Sequence, residues 1–139
     1  MTFVIDSSVF VAAVCKKEEA SEQAFALLKK ISIGAVKAII PTTVLFEVVA
    51  AVSRRTGNNS LAKQMGEELL SFPSISIIDV TSFRVLRNLD FVADSKLAGM
   101  DAVVASIALE FDLPLITLDK EMKEKASQFV KIKELGDLL

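Results

Sequence analysis

The sequence predicts an α/β fold in which a central parallel sheet of about five short strands is flanked by helices on both faces. Short β-like runs alternate with helical segments along all 139 residues. The β-like runs hold only three to five residues and are almost wholly apolar, which is typical of strands buried on both faces. No linker rich in Gly, Ser or Pro and no internal repeat divides the chain. We therefore expect residues 1–139 to form a single three-layer α/β/α domain.

The predicted strands are apolar runs, and the predicted helices have recognisable ends. The strands are residues 3–5, 38–40, 75–78, 114–117 and the short run 130–132. The helices begin near residue 8 and then cover 19–31, 43–55, 60–71, 82–93, 100–111 and 120–128. Gly34 follows the second helix where a left-handed cap belongs, and Pro41 opens the third. Thr81 or Ser82 caps the helix that extends to about residue 93.

The composition excludes several kinds of catalytic site. The chain has no His, Trp or Tyr and one cysteine, Cys15, which lies in an apolar context and is expected to be buried. Histidine-dependent hydrolase sites, zinc sites built from His or from several Cys, and iron–sulfur clusters are therefore ruled out. Any acid–base or metal chemistry falls to Asp, Glu, Lys, Ser or Thr, and a site made only of carboxylates favours Mg²⁺ or Mn²⁺.

Charge and hydropathy point to a cytoplasmic protein. Eighteen acidic and sixteen basic residues give a formal net charge of −2, so no charged tail indicates a partner. The first residues lack the basic region of a signal peptide and include Asp6 within the apolar stretch. No apolar run approaches the roughly 20 residues of a membrane span.

Four acidic residues occupy positions that a parallel sheet would bring together. Asp6 directly follows the first strand, and Asp119 follows the strand at 114–117. Asp101 lies in the first turn of helix 100–111, and Glu47 is the only charged residue in the helical run 42–53, where most of its neighbours are apolar. Taken singly, each has an ordinary explanation as a turn, cap or solvent-facing residue. Together, four carboxylates repel one another strongly, and a divalent cation would relieve that repulsion.

Four segments around these acids resemble the PIN domain, a family of small metal-dependent ribonucleases that includes the VapC toxins. Residues 4–10 are similar to the strand-ending Asp of the family, followed two positions later by a hydroxyl residue. Residues 41–47 resemble its Pro-initiated helix with a second acid. Residues 101–108 resemble its Asp-Ala-x-x-Ala-x-x-Ala segment, and residues 115–122 resemble its closing strand and Thr-x-Asp motif. One departure is Met122, where the family often has an aromatic residue.

The resemblance implies a set of site residues and a reaction. Asp6, Glu47, Asp101 and Asp119 would be the catalytic residues and would hold one or two Mg²⁺ or Mn²⁺ ions. Ser8 and Thr117 would orient the carboxylates through hydrogen bonds. The implied reaction is hydrolysis of an RNA phosphodiester by an activated water, which leaves a 5′-phosphate.

The resemblance also implies partners: an RNA substrate, a VapB-like antitoxin and a second copy of the chain in a homodimer. Lysines expected at the rim of the site are Lys16, Lys17, Lys96, Lys120 and Lys123. The nine phenylalanines are expected to belong mostly to the core, and the apolar segments 44–52 and 61–72 would supply a dimer surface or core packing. Alternatives left open are a PIN-like RNA-processing nuclease without an antitoxin, a DNA substrate, and a metal-free binding or assembly module. A phosphotransfer domain is disfavoured because Ser8 stands where a phosphatase of the haloacid dehalogenase type needs a second Asp.

Overall fold

The computed structural model describes residues 1–16 and 19–138, in which four parallel strands form a single sheet. The strands are β1 (Thr2–Ile5), β2 (Lys37–Pro41), β3 (Ile75–Ile78) and β4 (Leu115–Ile116). The helices are α1 (Ser7–Val14), α2 (Ser21–Ser32), α3 (Thr42–Thr56), α4 (Asn59–Ser71), α5 (Ser82–Arg87), α6 (Leu89–Ser95), α7 (Gly99–Phe111) and α8 (Lys120–Ala126), with a 3₁₀ helix at Leu135–Leu138.

The strand order β3-β2-β1-β4 determines where the chain can place a site. Val4 pairs with Leu115 on one side of β1, and Phe3 pairs with Ala38 on the other. After β1 the chain builds outward through β2 and β3, then crosses back to place β4 on the opposite side of β1. In parallel sheets, ligands bind beyond the carboxyl ends of strands at such a reversal. The reversal here lies between β1 and β4.

Helices cover the sheet because the strands are apolar on both faces. Val4, Ile5 and Ile40 are fully buried, as expected for β-branched residues in central parallel strands. Helix α7 packs against β1 and β2, while α1 contacts α2 and α3. The result is the three-layer α/β/α arrangement that the sequence predicts.

The predicted ends of the helices are largely confirmed. Gly34 follows Ile33, the C-cap residue of α2, and has a positive φ of 79°. Its N–H donates to the carbonyl of Ile31 at 3.0 Å. Pro41 precedes the first residue of α3, and the Thr81 hydroxyl accepts the N–H of Arg84 at 3.2 Å. Gly34 and Thr81 thereby satisfy backbone groups that a helix end leaves unpaired, whereas Pro41 makes no capping hydrogen bond.

The prediction of about five strands is one too many for the described residues. The run at 130–132 makes one parallel bridge, between Leu115 and Ile132. The N–H of Leu115 donates to the backbone carbonyl of Lys131 at 2.8 Å, and the N–H of Lys133 donates to the backbone carbonyl of Leu115 at 2.9 Å. Because β4 has only two residues in the sheet, its outer edge offers too short a ladder for a fifth strand.

The single helix predicted over 82–93 is divided into α5 and α6 at Asn88. The Asn88 side-chain amide donates to the carbonyl of Arg84 at 2.8 Å, and its backbone N–H bonds the carbonyl of Val85 at 3.1 Å. The side chain thus takes the acceptor that a continuous helix would reserve for the backbone, which is how Asn ends helices.

Most of the phenylalanines lie outside the core, contrary to the prediction. Three of the nine are buried: Phe3, Phe10 and Phe91. Five are exposed: Phe25, Phe46, Phe83, Phe111 and Phe129. The core is instead built mainly from aliphatic residues. Cys15 is buried and free, as predicted. Within the described residues, no helix combines the length and hydropathy needed to cross a membrane.

Candidate active site

An open pocket of about 500 Å³ lies beyond the carboxyl ends of β1 and β4. All four acidic residues singled out in the sequence line it, so the structure brings together groups that are separated by more than 110 residues in the chain. The full lining is Asp6, Ser7, Ser8, Val11, Glu47, Ala50, Ala51, Arg54, Arg55, Asp101, Leu118 and Asp119.

Asp6 is the most rigidly held of the four acids. Its residue is only 4% exposed, at the junction between β1 and α1, and its backbone N–H bonds the carbonyl of Ile116 at 2.9 Å. Its carboxylate Oδ2 accepts the hydroxyl of Ser8 at 2.7 Å and the hydroxyl of Thr117 at 2.9 Å. Oδ2 also accepts the backbone N–H of Ser8 at 3.4 Å, which caps α1. Because these donors all bind Oδ2, they fix the direction of the carboxylate.

Ser8 and Thr117 also connect the two chain segments that form the floor of the pocket. The Ser8 hydroxyl accepts the N–H of Leu118 at 3.0 Å and lies 3.4 Å from the Thr117 hydroxyl. The Thr117 hydroxyl accepts the N–H of Asp119 at 3.2 Å. Each hydroxyl therefore donates to Asp6 and accepts a backbone N–H from the segment after β4. This geometry suits the orienting role expected for both residues.

Glu47 enters the pocket from α3 and carries a polar atom without a partner. Its Oε1 is buried and has no hydrogen bond with the described residues. Burial raises the pKa of Glu47 most, the charges of Asp6 and Asp101 raise it further, and a hydrogen bond from Ser7 lowers it. The interpretation of Glu47 as a solvent-facing residue is therefore wrong: its side chain faces other carboxylates.

Asp101 lies in the first turn of α7, where the free N–H groups of a helix favour a negative charge. Its pKa is nevertheless raised to about 6. Burial is the largest cause, and the charges of Asp6, Asp119 and Glu121 also raise the pKa, whereas Lys125 lowers it. The site thus contains more negative charge than its own cations neutralise.

Asp119 is the most exposed of the four acids and has two roles in the structure. It caps α8 by accepting the N–H of Met122 on Oδ1 at 2.9 Å, and it also lines the pocket. Within residues 1–16 and 19–138, no three acidic or cysteine side chains approach closely enough to form a complete metal site in this conformation.

The residues present fit a hard divalent cation. The unpartnered Glu47 Oε1 and the raised pKa values of Glu47 and Asp101 show a cluster short of positive charge. Oxygen donors are the ligands that Mg²⁺ and Mn²⁺ prefer. Mg²⁺ commonly takes only one or two carboxylates directly and keeps several waters. A loosely gathered set of carboxylates is therefore compatible with such an ion.

The cations that line the pocket are not the ones the sequence analysis expected. Arg54 and Arg55, from the end of α3, are the basic residues in the lining, and none of the described lysines predicted at the rim is among them. Lys123 instead pairs with Glu134 at 2.8 Å. Lys17 lies outside the described residues. Arg54 could have been identified from the sequence, because it lies seven positions after Glu47 and the two therefore share one face of a helix.

Comparisons with known proteins bear on the fold and on the family. No curated protein sequence matches the chain significantly. Solved structures with the same fold include VapBC2 from Rickettsia felis, described as bound to a DNA fragment from its promoter, at 18% identity and a TM-score of 0.67 over 96% of this chain and 98% of that one.

Two further solved structures are similar over nearly their whole lengths. VapC20 from Mycobacterium tuberculosis, described as a toxin that cleaves the sarcin–ricin loop, has a TM-score of 0.73 at 17% identity over 94% of this chain and 98% of that one. FitAB, described as bound to a DNA fragment, has a TM-score of 0.69 at 17% identity over 97% and 95%. The family model described as the PIN domain matches residues 3–128. The chain belongs to the PIN domain family.

Proposed function

We propose that this protein is an endoribonuclease that depends on Mg²⁺ or Mn²⁺ and hydrolyses phosphodiester bonds in RNA. The observation that carries the proposal is the convergence of Asp6, Glu47, Asp101 and Asp119 on one open pocket at the reversal point of the sheet. Membership of the PIN domain family supports a nuclease. The neighbour described as cleaving the sarcin–ricin loop supports RNA as the substrate rather than DNA.

The chain's own residues would hold the cation and keep the reacting groups in place. Asp6, fixed through Oδ2, and the carboxylates of Glu47, Asp101 and Asp119 would be its ligands, directly or through water. A divalent cation there supplies a water of lowered pKa and neutralises negative charge on the phosphodiester. With no histidine in the chain, a carboxylate of this set is the available acceptor for the proton of the water.

We further propose that the protein is the toxin of a VapBC-type pair, acting in the cytoplasm on RNA and inhibited by a VapB-like antitoxin. The support is that two structural neighbours, VapBC2 and FitAB, are assemblies described as bound to DNA. An RNA-processing nuclease of the same family, working without an antitoxin, would have the same site.

A homodimer is also part of the proposal. An apolar groove of about 610 Å³ runs between α3 and α4, and Phe46 at 78% exposed and Leu70 at 62% exposed line it together with Leu45, Val49 and Gly66. The buried residues of the same helices, such as Val48 and Leu69, belong to the core. The predicted dimer surface is therefore only the outer part of segments 44–52 and 61–72.

Cleavage of a labelled single-stranded RNA tests the proposed reaction. We expect the wild-type protein to cut RNA with Mn²⁺ or Mg²⁺ and to stop when EDTA is added. Asp6→Asn should lower the rate by at least about 100-fold, since it removes a charged ligand from the fixed position. Asp90→Asn, a matched change at an exposed acid on α6, should leave the rate unchanged.

Two results would contradict the proposal. Activity that persists in EDTA would remove the role of the cation. A folded wild-type protein that neither binds Mn²⁺ nor cuts RNA would instead favour a metal-free binding module. Cleavage of DNA in preference to RNA would correct the substrate while leaving the chemistry intact.

A further inference from the structure

Arg54 shares a helix face with Glu47 and lines the same pocket. The two residues are seven positions apart on α3, and the small side chains of Ala50 and Ala51 line the pocket between them. Seven residues correspond to roughly 10.5 Å along a helix axis. The pocket wall therefore has a carboxylate at one end and a guanidinium at the other.

This guanidinium has no partner among the described residues. Arg54 is exposed and makes no hydrogen bond or ion pair with the part of the chain that the structure describes, although four carboxylates line the same pocket. Arg84, by contrast, is bound to the carboxylate of Glu110 through two nitrogens, at 3.0 and 3.2 Å. Arg54 is thus separated along α3 from the acids and available to a ligand that spans the pocket.

An RNA strand is a ligand with anionic groups at regular intervals. If one phosphate lies at the carboxylates, a neighbouring phosphate of the same strand lies further along the pocket wall. A planar guanidinium binds phosphate oxygens in pairs and keeps its charge at any physiological pH. The spacing of Glu47 and Arg54 therefore suits two different phosphates of one strand.

We propose that Arg54 is a positioning residue that binds the RNA backbone at a phosphate other than the one being cleaved. The inference rests on the proposed ribonuclease function. Arg54 would contribute to substrate affinity and to the placement of the strand, and it would make no contact with the reacting atoms. A phosphate contact carries no sequence information, so the effect should be the same for RNAs of different sequence.

The test compares Arg54→Gln with Arg54→Lys and with Arg87→Gln. Arg87 is a suitable control because it is exposed on α5 and does not line the pocket. We expect Arg54→Gln to raise KM by about five- to ten-fold with kcat within about two-fold of wild type. The RNA association constant falls with salt concentration, and the slope of this fall on logarithmic axes should be less steep by about 0.7 in Arg54→Gln, as expected for the loss of one phosphate contact.

The lysine variant separates charge from structure. Arg54→Lys keeps the charge, so the salt slope should return to the wild-type value while affinity recovers only in part. A wild-type enzyme that cuts RNA while Arg54→Gln retains its KM and salt slope would overturn the inference and leave the ribonuclease proposal intact. An equal loss of slope in both Arg54 variants, or a fall in kcat alone, would also overturn it. Failure of the wild type to cut RNA would instead overturn the proposed function itself.

Discussion

Asp101 carries a charge that the folded protein disfavours when no cation is bound. Its ordinary pKa of 3.8 rises to about 6 because of burial and the neighbouring acids. The unfolded chain releases this proton near pH 4, whereas the folded protein retains it until about pH 6. The metal-free protein should therefore lose stability as the pH rises from about 4 to 6, and the penalty should be constant above that.

Asp101→Asn should remove this pH dependence. A change from 3.8 to about 6 corresponds to roughly 3 kcal/mol, which partial exposure reduces to about 1–2 kcal/mol. We expect the variant to be more stable than the metal-free wild type by that amount at pH 7 and to have lost RNA cleavage. Thermal melts of the variant and the wild type at pH 4, 6 and 7 in EDTA measure the difference in stability. A clearly lower melting temperature at pH 7 would contradict the crowded carboxylates.

Thr117 tests the role of the hydroxyls on Asp6. Thr117→Val keeps the shape but removes the donor to Asp6 Oδ2 and the acceptor for the N–H of Asp119, so we expect a loss of about 1–3 kcal/mol in the free energy of unfolding. Mn²⁺ affinity should fall about 10- to 100-fold. Thr117→Ser keeps the hydroxyl and should retain Mn²⁺ affinity close to wild type. Equal Mn²⁺ affinity in the valine and serine variants would show that the hydroxyl does not orient the site.

At the scale of single residues, the sequence predicted best the positions of side chains that directly follow a strand. Asp6 and Asp119 follow strands, so the topology alone brings them to one edge. Arg54 was missed because an exposed Arg near the end of a helix is explained equally well by the helix dipole. The lysines placed at the rim were assigned from closeness in sequence, which does not fix the direction of a side chain.

At the scale of the elements, Gly66 lets α3 and α4 approach closely. A Cβ added to Gly66 would lie 2.8 Å from Cγ2 of Val49 on α3. Gly66→Ala gains up to about 1 kcal/mol of helix propensity but overpacks this contact by about 1–3 kcal/mol. We expect a net destabilisation of about 1 kcal/mol, measured by urea unfolding. Combining it with Val49→Ala should remove the clash, so a double-mutant cycle without coupling would contradict the close contact.

Two elements differ from the sequence prediction. One depends on a side chain that competes with the backbone for a hydrogen bond, and the other depends on pairing with a neighbouring strand. Asn88 interrupts a helical pattern because its side chain replaces a backbone donor, a choice that periodicity does not reveal. The run at 130–132 has the composition of a strand, but strand formation depends on a neighbour long enough to pair with it. Strands 3–5 and 38–40 were predicted because strands in the middle of a sheet are buried and therefore apolar, whereas the edge strand 75–78 was predicted from its three isoleucines although only Ile75 is buried.

At the scale of the whole molecule, the groove between α3 and α4 is where we expect two copies to meet. Phe46→Ser should leave the monomer folded and convert the dimer to a monomer in sedimentation velocity experiments. Phe83→Ser removes a similarly exposed ring from α5 and should leave the dimer intact. A dimer unaffected by Phe46→Ser, or one equally sensitive to Phe83→Ser, would place the interface elsewhere.

The overall architecture and the gathering of the acids followed from topology, whereas the exposed aromatic residues did not. Hydrophobicity assigns Phe to the core, but the tightly packed interior here is filled by aliphatic residues, which leaves five rings on the surface. Whether such a ring is covered by a partner depends on an assembly that the sequence of one chain does not describe.

Calorimetric titration of Mn²⁺ into the metal-free protein tests the central claim most directly. We expect saturable binding to the wild type and to Asp90→Asn, and affinity reduced by at least about ten-fold in Asp6→Asn and Asp101→Asn. A folded wild-type protein that gives no binding heat at any temperature tried, or equal affinity in all four proteins, would contradict a cation site formed by these carboxylates.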